Sequence, residues 1–462
     1  MQEFDLIVVG TGSGNAIPAE LADWRVALVE RDVFGGTCLN RGCIPSKMLV
    51  HVADMAAQAR DAGRFGVEAH VASVDWPAIV RRVFGRIDPI AAGGEDYRAN
   101  RCPNVSVFRG TARLVEPKVV EVAGERLTAP QVLLAAGARP TPLEVPGLDR
   151  VPWHTSDTIM RMEGLPERLV VFGGGYIAAE LGHVFGSLGV DVTFVLRGPV
   201  MLSGEDGDVS ALVTEAYGRR HRLVTSARDL RVEELEGRTV VAGVGSDGPF
   251  TAPADVVLVA VGRTSNGDEL GAAAVGIATD GGRVLTDSCL QASVPGVWAL
   301  GDLTNTEQLK HLANAEARVA FHNIAAAGRA GDVASLSPAS LRRIDRTLVP
   351  HAIFGHPQVA SVGLRERDVL AAGVPYVSTI KSFGDTAWGW ALEDTTSACK
   401  LIAHAESRLL LGAHIVGPQA STLIQPLIQG MRFGQTVDAL AREVWYIHPA
   451  PTEVVENALL AL

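Results

Sequence analysis

Several features are missing from this chain, and each absence narrows what it can be. No stretch approaches the roughly 20 consecutive apolar residues of a membrane span, although hydrophobic residues make up 47% of the whole. Membrane insertion is therefore not expected. Nor is there a basic excess: Lys and Arg number 41 against 52 Asp and Glu, a formal net charge of -11. With no basic arm to override that balance, nucleic acid is not an expected partner, and any anionic ligand must be held by local groups. The opening MQEFDLIVVG lacks the basic segment, apolar plug and cleavage site of a secretory leader, so the expected location is the cytoplasm. Cysteine is scarce, five in 462 residues, too few for a disulfide scaffold. Two of the five, Cys38 and Cys43, nevertheless share the short stretch GGTCLNRGCIPSK. In a compartment that keeps thiols reduced, such a pair points to catalysis or metal binding rather than to a structural staple.

A chain of 462 residues is expected to fold as two or three domains, at roughly 100–200 residues each. FDLIVVG reads as a buried strand running into Gly10-Thr11-Gly12-Ser13-Gly14-Asn15, a helix-like segment follows to about Asp23, and RVALVE forms a second strand ending at Glu30. In such a βαβ unit Gly10 permits the tight turn and Gly12 lets the backbone approach a pyrophosphate. The next helix turns its free N–H groups and positive dipole end toward the phosphates. Glu30 lies where an acid takes the hydroxyls of an adenosine ribose. Gly14 completes the run, but Asn15 replaces the third fingerprint glycine, so this copy is imperfect.

The pattern recurs in RLVVFGGGYIAAELGHVFGSLGVDVTFVLR, with Gly173, Gly174 and Gly175 in the turn and Ala178 at the last small position. Each copy has a closing strand downstream, VLLAAGARP around Gly137 and VVLVAVGRTSN around Gly262 and Arg263. Two dinucleotide sites in one chain imply electron transfer between their ligands. At the end of its second strand this copy has Arg197 in place of an acid. A guanidinium pairs with a 2′-phosphate that a carboxylate would repel, which favours NADPH. VWALGD is a further strand, whose end sets the carboxylate of Asp302 where it can meet a polyol, with a helix starting near Leu309 beside it.

The cysteine stretch, the two glycine units, GYIAAE and the terminal IHPAPTE together resemble the flavoprotein disulfide reductases, the family of lipoamide dehydrogenase, glutathione reductase and mercuric reductase. The likeness runs the length of the chain. It implies an α/β fold with two Rossmann-like dinucleotide-binding domains and a C-terminal α+β dimerisation domain: FAD on residues 1–150 and 270–335, NAD(P)H on 151–269, and the interface on 340–462. It implies FAD bound by Gly10, Gly12, Gly14, Glu30, Gly36, Thr37, Gly137 and Asp302. NADPH would be bound by Gly173, Gly175, Tyr176, Arg197, Gly262 and Arg263, with Tyr176 as a lid between nicotinamide and flavin.

By the same resemblance Cys38 and Cys43 form a redox-active disulfide on a helix beside the flavin, Cys43 nearest the ring and Cys38 exchanging with the substrate disulfide. Pro45 then fixes a bend after the second cysteine. His448 is the implied proton shuttle, its ring held by Glu453 and offered across a homodimer to the partner's site, since imidazole titrates near working pH. Lys47 and Glu180 are the implied ion pair beside flavin N5. A small-molecule disulfide is the implied substrate. No metal is expected: half a zinc site with His51 is the competing reading of the cysteines, but no second ligand pair stands at a matching spacing. Cys102, Cys289 and Cys399 read as packing residues.

Within the family, RVFGRIDPIAAGGEDYR, WHTSDTIMRM, FGDTAWGWALEDT and STLIQPLIQGMRFG resemble the actinobacterial branch that reduces the disulfide of a cysteine-bearing pseudodisaccharide thiol. A lipoamide dehydrogenase is the competing reading inside the family, and a non-catalytic flavin redox sensor the one outside it. Ser203 stands where NADPH-dependent relatives often carry a second arginine, which keeps NADH use open. Segments 15–24 and 86–97 are candidates for the substrate pocket. The last domain reads as an antiparallel sheet followed by a helix bearing Leu423, Ile424, Leu427, Ile428 and Met431 on one stripe, facing either core or subunit contact.

Overall fold

In the computed structural model, which describes residues 1–331 and 338–462, the apolar runs LIVV, VALVE, QVLL and VWA are buried at every residue. Strands apolar on both faces belong inside a parallel sheet with both faces covered. They lie in one, in the order Val297–Ala299, Gln131–Leu134, Leu6–Val9, Val26–Glu30, Val105–Arg109, with every neighbour parallel. Alternate side chains serve two cores, as the period of two requires. Ile7, Val9, Ala27 and Val29 meet Leu114, Val120 and Leu127 of a small second sheet. Leu6, Val8 and Leu28 meet Phe321 and Ile324 of the helix Lys310–Ala330. These elements belong to the first of two units, made of Met1–Ser46, Pro77–Thr141 and Arg263–Asp345. The expected end of the second FAD segment, residue 335, lies outside the described residues.

The second unit consists of Lys47–Trp76, Pro142–Gly262 and Arg346–Leu462. Its parallel sheet repeats the first arrangement: Trp153–Thr155, Val256–Val259, Arg168–Phe172, Asp191–Val195, Arg222–Val224. In both sheets the strand that opens a glycine turn lies between its βαβ partner and its closing strand. That is the place where strand order reverses and a crevice opens at the strand ends. An antiparallel sheet follows in the order His351–Ile353, Val359–Gly363, Leu410–Val416, Ala398–His404, Tyr376–Ser382. The fold is thus α/β, two Rossmann-like domains followed by a C-terminal α+β domain.

Within the second unit, the parallel-sheet and C-terminal parts are fastened by buried charge. Lys400 Nζ, on a side chain 5% exposed, donates to Asp206 at 2.8 Å, Asp208 at 2.5 Å and Glu366 at 2.7 Å. Glu205 accepts from Ser361 at 2.6 Å and pairs with His351 at 2.6 Å. Removing Lys400 would leave the buried carboxylate of Asp206 without its counter-charge.

Three local expectations need correction. Instead of a helix to Asp23, the first glycine turn leads into two 3-10 turns, Ser13–Asn15 and Ala19–Leu21, because Pro18 bars the preceding residue from helical backbone and lacks a donor itself. The stripe carrying Leu423 is two helices, Ala420–Leu423 and Gln425–Arg432, with Pro426 in the first turn of the second. Its face is core: Leu423, Ile424 and Leu427 are buried, with Ile428 and Met431 packed against them. Nor does Pro45 make a bend, since it lies in the first turn of the helix Cys43–Asp61, where a missing N–H costs no hydrogen bond.

Candidate active site

Cys38 and Cys43 occupy two consecutive helices rather than one: Cys38 is central in Gly36–Asn40, and Cys43 opens Cys43–Asp61. Gly42 allows the turn between them, because a Cβ there would meet the Thr37 carbonyl oxygen at 3.0 Å. Both cysteines are free thiols, Cys38 half-buried and Cys43 exposed. Their side chains are hydrogen-bonded to each other, and this bond, followed by burial and then by the negative charge of Cys43, pushes the Cys38 thiol up, while Lys310 opposes the shift. The pair therefore keeps a proton on Cys38. Cys43 has the position suited to thiolate, at a helix N-terminus.

Around the first glycine turn, Glu30 is buried and already engaged. Its Oε2 accepts from Thr11 N–H at 2.9 Å and from the Thr11 hydroxyl at 2.6 Å, and its Oε1 accepts from Asp32 N–H at 2.9 Å. Gly10, with φ at +102°, admits no side chain, because a Cβ would stand 2.4 Å from the Ala135 carbonyl oxygen. A Cβ on Gly36 would lie 2.7 Å from Gly12 Cα. Asn15, the odd member of the fingerprint, accepts from Arg98 Nε at 2.8 Å through its side chain and from Arg98 Nη2 at 2.7 Å through its carbonyl. Lys310, opening its helix, donates to Ser13 Oγ at 2.8 Å.

Asp302 is half-buried, and burial pushes its carboxyl up, with Arg263 and Lys310 pulling the other way. Among the described residues no other side chain donates a hydrogen bond to it. Gly137 adopts φ of +67° in open space, its carbonyl accepting from Asn266 N–H at 3.1 Å.

In the second unit, Glu180 is buried on the helix Tyr176–Ser187 and holds Lys47 Nζ at 2.7 and 2.6 Å through its two oxygens. Phe354 N–H donates to the same carboxylate at 2.9 Å, and its ring lies 4.9 Å from the ammonium. Gly173, φ +118°, and Gly174 are closed to side chains, with Cβ positions 2.3 Å from the Ala260 carbonyl oxygen and 2.7 Å from Leu196 Cδ2, whereas Gly175 faces open space at the start of the helix. Gly262 turns with φ of +120° after Val256–Val259, and Arg263, across the division in the first unit, donates to the Ala138 carbonyl at 2.6 Å. Tyr176 is 43% exposed. Arg197, just beyond Asp191–Val195, is exposed, and no acceptor engages its guanidinium among the described residues.

His448 and Glu453 are joined through Nδ1 and Oε1. Glu453 is buried as the first residue of the helix Glu453–Leu460, whereas the His448 side chain is 73% exposed. Nε2 is thus left to face outward. Trp445 and Ile447 beside it are 96% and 76% exposed.

Residues 4–318 match the profile of the pyridine nucleotide-disulphide oxidoreductases, and residues 349–459 match the dimerisation domain of that family. The chain belongs to this family. Over 474 residues, covering 100% of both chains, this oxidoreductase is 45% identical to mycothione reductase of Mycobacterium tuberculosis strain H37Rv. It is 32% identical to dihydrolipoyl dehydrogenase of Chlamydia muridarum, over 100% of its own length and 97% of the relative. Among solved structures, the Cu(II) complex of the HOCl-induced flavoprotein disulfide reductase RclA from Escherichia coli aligns with a TM-score of 0.84 at 22% identity, covering 100% of both chains, a likeness of fold.

The oxidoreductase is a flavoprotein that acts on disulfides, with FAD and NADPH as cofactors and a dimerisation domain. Its residues fit both groups. A desolvated Asp302 without a side-chain donor suits ligand hydroxyls, and the bare backbone at Gly10, Gly12 and Gly36 suits a phosphate. The open space at Gly175 and the free guanidinium of Arg197 suit a second dinucleotide carrying an extra phosphate. No helix is long and apolar enough to cross a membrane among the described residues. Cys399 is fully buried, with its thiol pushed up to about 12 by desolvation, and Cys289 is buried as well, as packing residues should be.

Sequence reasoning missed Lys310 and Arg98. A lysine at a helix start and an arginine near a helix end carry no local signal, because their partners Ser13 and Asn15 lie 297 and 83 residues away.

Proposed function

We propose that the chain is a cytoplasmic homodimeric reductase that converts mycothione, the disulfide of the pseudodisaccharide thiol mycothiol, to two mycothiols at the expense of NADPH. Full-length identity of 45% to a mycothione reductase carries this reading. The four stretches that resemble that branch agree with it, as does Arg197 in place of an acid. FAD, which the bare backbone at Gly10, Gly12 and Gly36 and the carboxylate of Asp302 would hold, would supply the redox link between NADPH and the Cys38–Cys43 disulfide.

The remaining steps belong to the chain's own side chains. Cys43, at its helix N-terminus, retains the thiolate, and Cys38 holds the proton until a base removes it. That base is His448 of the partner subunit. Its Nδ1 is tied to Glu453, so Nε2 takes and returns the proton. Cys38 then attacks one sulfur of mycothione. The S–S bond of the substrate breaks, a mixed disulfide forms, and the first mycothiol leaves with a proton from His448. Cys43 attacks Cys38 Sγ, expels the second mycothiol, and restores the Cys38–Cys43 disulfide. NADPH, one proton and mycothione thus yield NADP⁺ and two thiols. Lys47, clamped by Glu180, would supply positive charge to offset the negative charge that a flavin gains on reduction. The exposed Trp445 and Ile447 would be covered in the dimer that brings His448 to the neighbouring site.

The test is steady-state oxidation of NADPH and NADH against mycothione, glutathione disulfide and lipoamide. Turnover selective for mycothione with NADPH, lost in Cys38→Ser while the flavin is still reduced by NADPH, is the expected result. Preference for lipoamide with NADH would leave the dithiol chemistry standing and overturn the substrate.

A further inference from the structure

Away from the dithiol, the second unit gathers three metal-ligating side chains that the reaction does not use. Asp54 comes from the helix Cys43–Asp61, His183 from Tyr176–Ser187, and His356 from the turn between His351–Ile353 and Val359–Gly363. One donor atom from each lies within 4.8 Å of the other two. His183 Nε2 is 2.7 Å from Asp54 Oδ1, and the two imidazoles stack with centroids 5.4 Å apart at 23°. The depth of the cluster is graded: the His183 side chain is 1% exposed, that of Asp54 33%, and His356 lies at the surface.

We propose that Asp54, His183 and His356 form a binding site for a divalent transition-metal ion of the zinc type. Two imidazoles and one carboxylate suit Zn²⁺, Co²⁺ or Ni²⁺ rather than Mg²⁺ or Ca²⁺, which demand more oxygens. Bonds of about 2.0–2.2 Å in a tetrahedral site place donors roughly 3.3 Å apart. Asp54 and His183 must open by under about 1 Å, and the surface His356 must close by up to about 1.5 Å, with its open side leaving a fourth position for water. The buried ligand is oriented from behind. His183 Nδ1 lies 3.1 Å from Ser187 Oγ, which also accepts from Arg220 at 3.4 Å. Such an outer partner fixes the ring and its tautomer. His356 is steadied through its backbone, whose N–H donates to Tyr217 Oη at 3.4 Å, while that hydroxyl donates to the Ala179 carbonyl at 2.8 Å. Without metal the Nε2 proton of His183 bridges to Asp54. With metal that proton sits on Nδ1, and the Ser187 hydroxyl turns from donor to acceptor, so the exchange needs no further reactant.

The site shares its two helices with the Lys47–Glu180 pair, Asp54 two turns beyond Lys47 and His183 one turn beyond Glu180. A bound ion would therefore be a second tie between them.

The test uses oxidised, FAD-loaded enzyme, in which the Cys38–Cys43 disulfide offers no thiolate. Titration with Zn²⁺ by calorimetry, with the metal content counted after dialysis, should give one tight equivalent per chain. His356→Ala and Asp54→Asn should each weaken it at least about tenfold, with flavin content and metal-free turnover as in the parent. Absence of a stoichiometric site in the parent, or unchanged affinity in either variant, would overturn the proposal.

Discussion

After Gly10–Gly14 the chain passes through two 3-10 turns, whereas after Gly173–Gly175 it enters the regular helix Tyr176–Ser187 directly. The strand orders around the two turns are the same, so the difference is local and traces to Pro18. At the first turn, the helix that comes close is the distant Lys310–Ala330, whose Lys310 bonds Ser13. The strand ends differ as well. Glu30 is buried with three hydrogen bonds made, and Arg197 is exposed, its guanidinium engaged by no acceptor among the described residues. A group satisfied within the protein can remain dry and preorganised for a ligand that stays bound. An exposed, uncommitted guanidinium suits a ligand that arrives and leaves in each cycle, because it adds electrostatic attraction during encounter.

If Glu30 is what organises the first site, its loss should be the more damaging. Glu30→Ala strands the Thr11 and Asp32 donors, each worth about 1–3 kcal/mol when buried and unpaired. The expected product is protein purified with little or no flavin, measured as flavin absorbance per chain, and normal flavin content would break the comparison. At the second site, Arg197→Glu should lower kcat/KM for NADPH by about 100-fold, from loss of a charged hydrogen bond plus repulsion. Turnover with NADH should stay within a few-fold. Equal losses for both nucleotides would mean that Arg197 does not read the phosphate.

The smallest effect is expected from acid. Hydrogen bonds and ion pairing to Lys400 hold Asp206 and Glu366 below the ordinary carboxylate range, against the opposing pull of burial, which for Asp206 is the largest single influence. His351 and Ser361 do the same for Glu205 against its burial. Groups whose folded pKa is depressed stabilise above their unfolded values, and that contribution is lost as pH falls through the folded ones. From about pH 4 downward, amide exchange should therefore rise in segments 205–209, 361–368 and 398–403 before it rises in Leu6–Val9 or Val26–Glu30. The reverse order would show that the Lys400 cluster does not govern acid stability in the second unit.

The chemistry-bearing residues were legible to very different degrees. Cys38 and Cys43 stand in one short stretch, the glycines follow apolar strands, and His448 is five residues from Glu453, so proximity in sequence announced them. Lys47 and Glu180 lie 133 residues apart and were legible only through family resemblance. Asp54, His183 and His356 had neither aid, and the sequence led to an expectation of no metal.

Sequence alone determined that two dinucleotide folds exist and that a dithiol sits between glycines and a helix. The reason is that strand periodicity, turn backbone and helix starts are short-range properties of the chain. Tertiary structure decided that the Leu423 stripe faces a core, that Lys310 and Arg98 support the first turn, that Lys400 fastens three carboxylates, and that an aspartate and two histidines converge. Those outcomes depend on which distant surfaces are buried against one another, a quantity set by the packing of whole elements and carried by no local pattern.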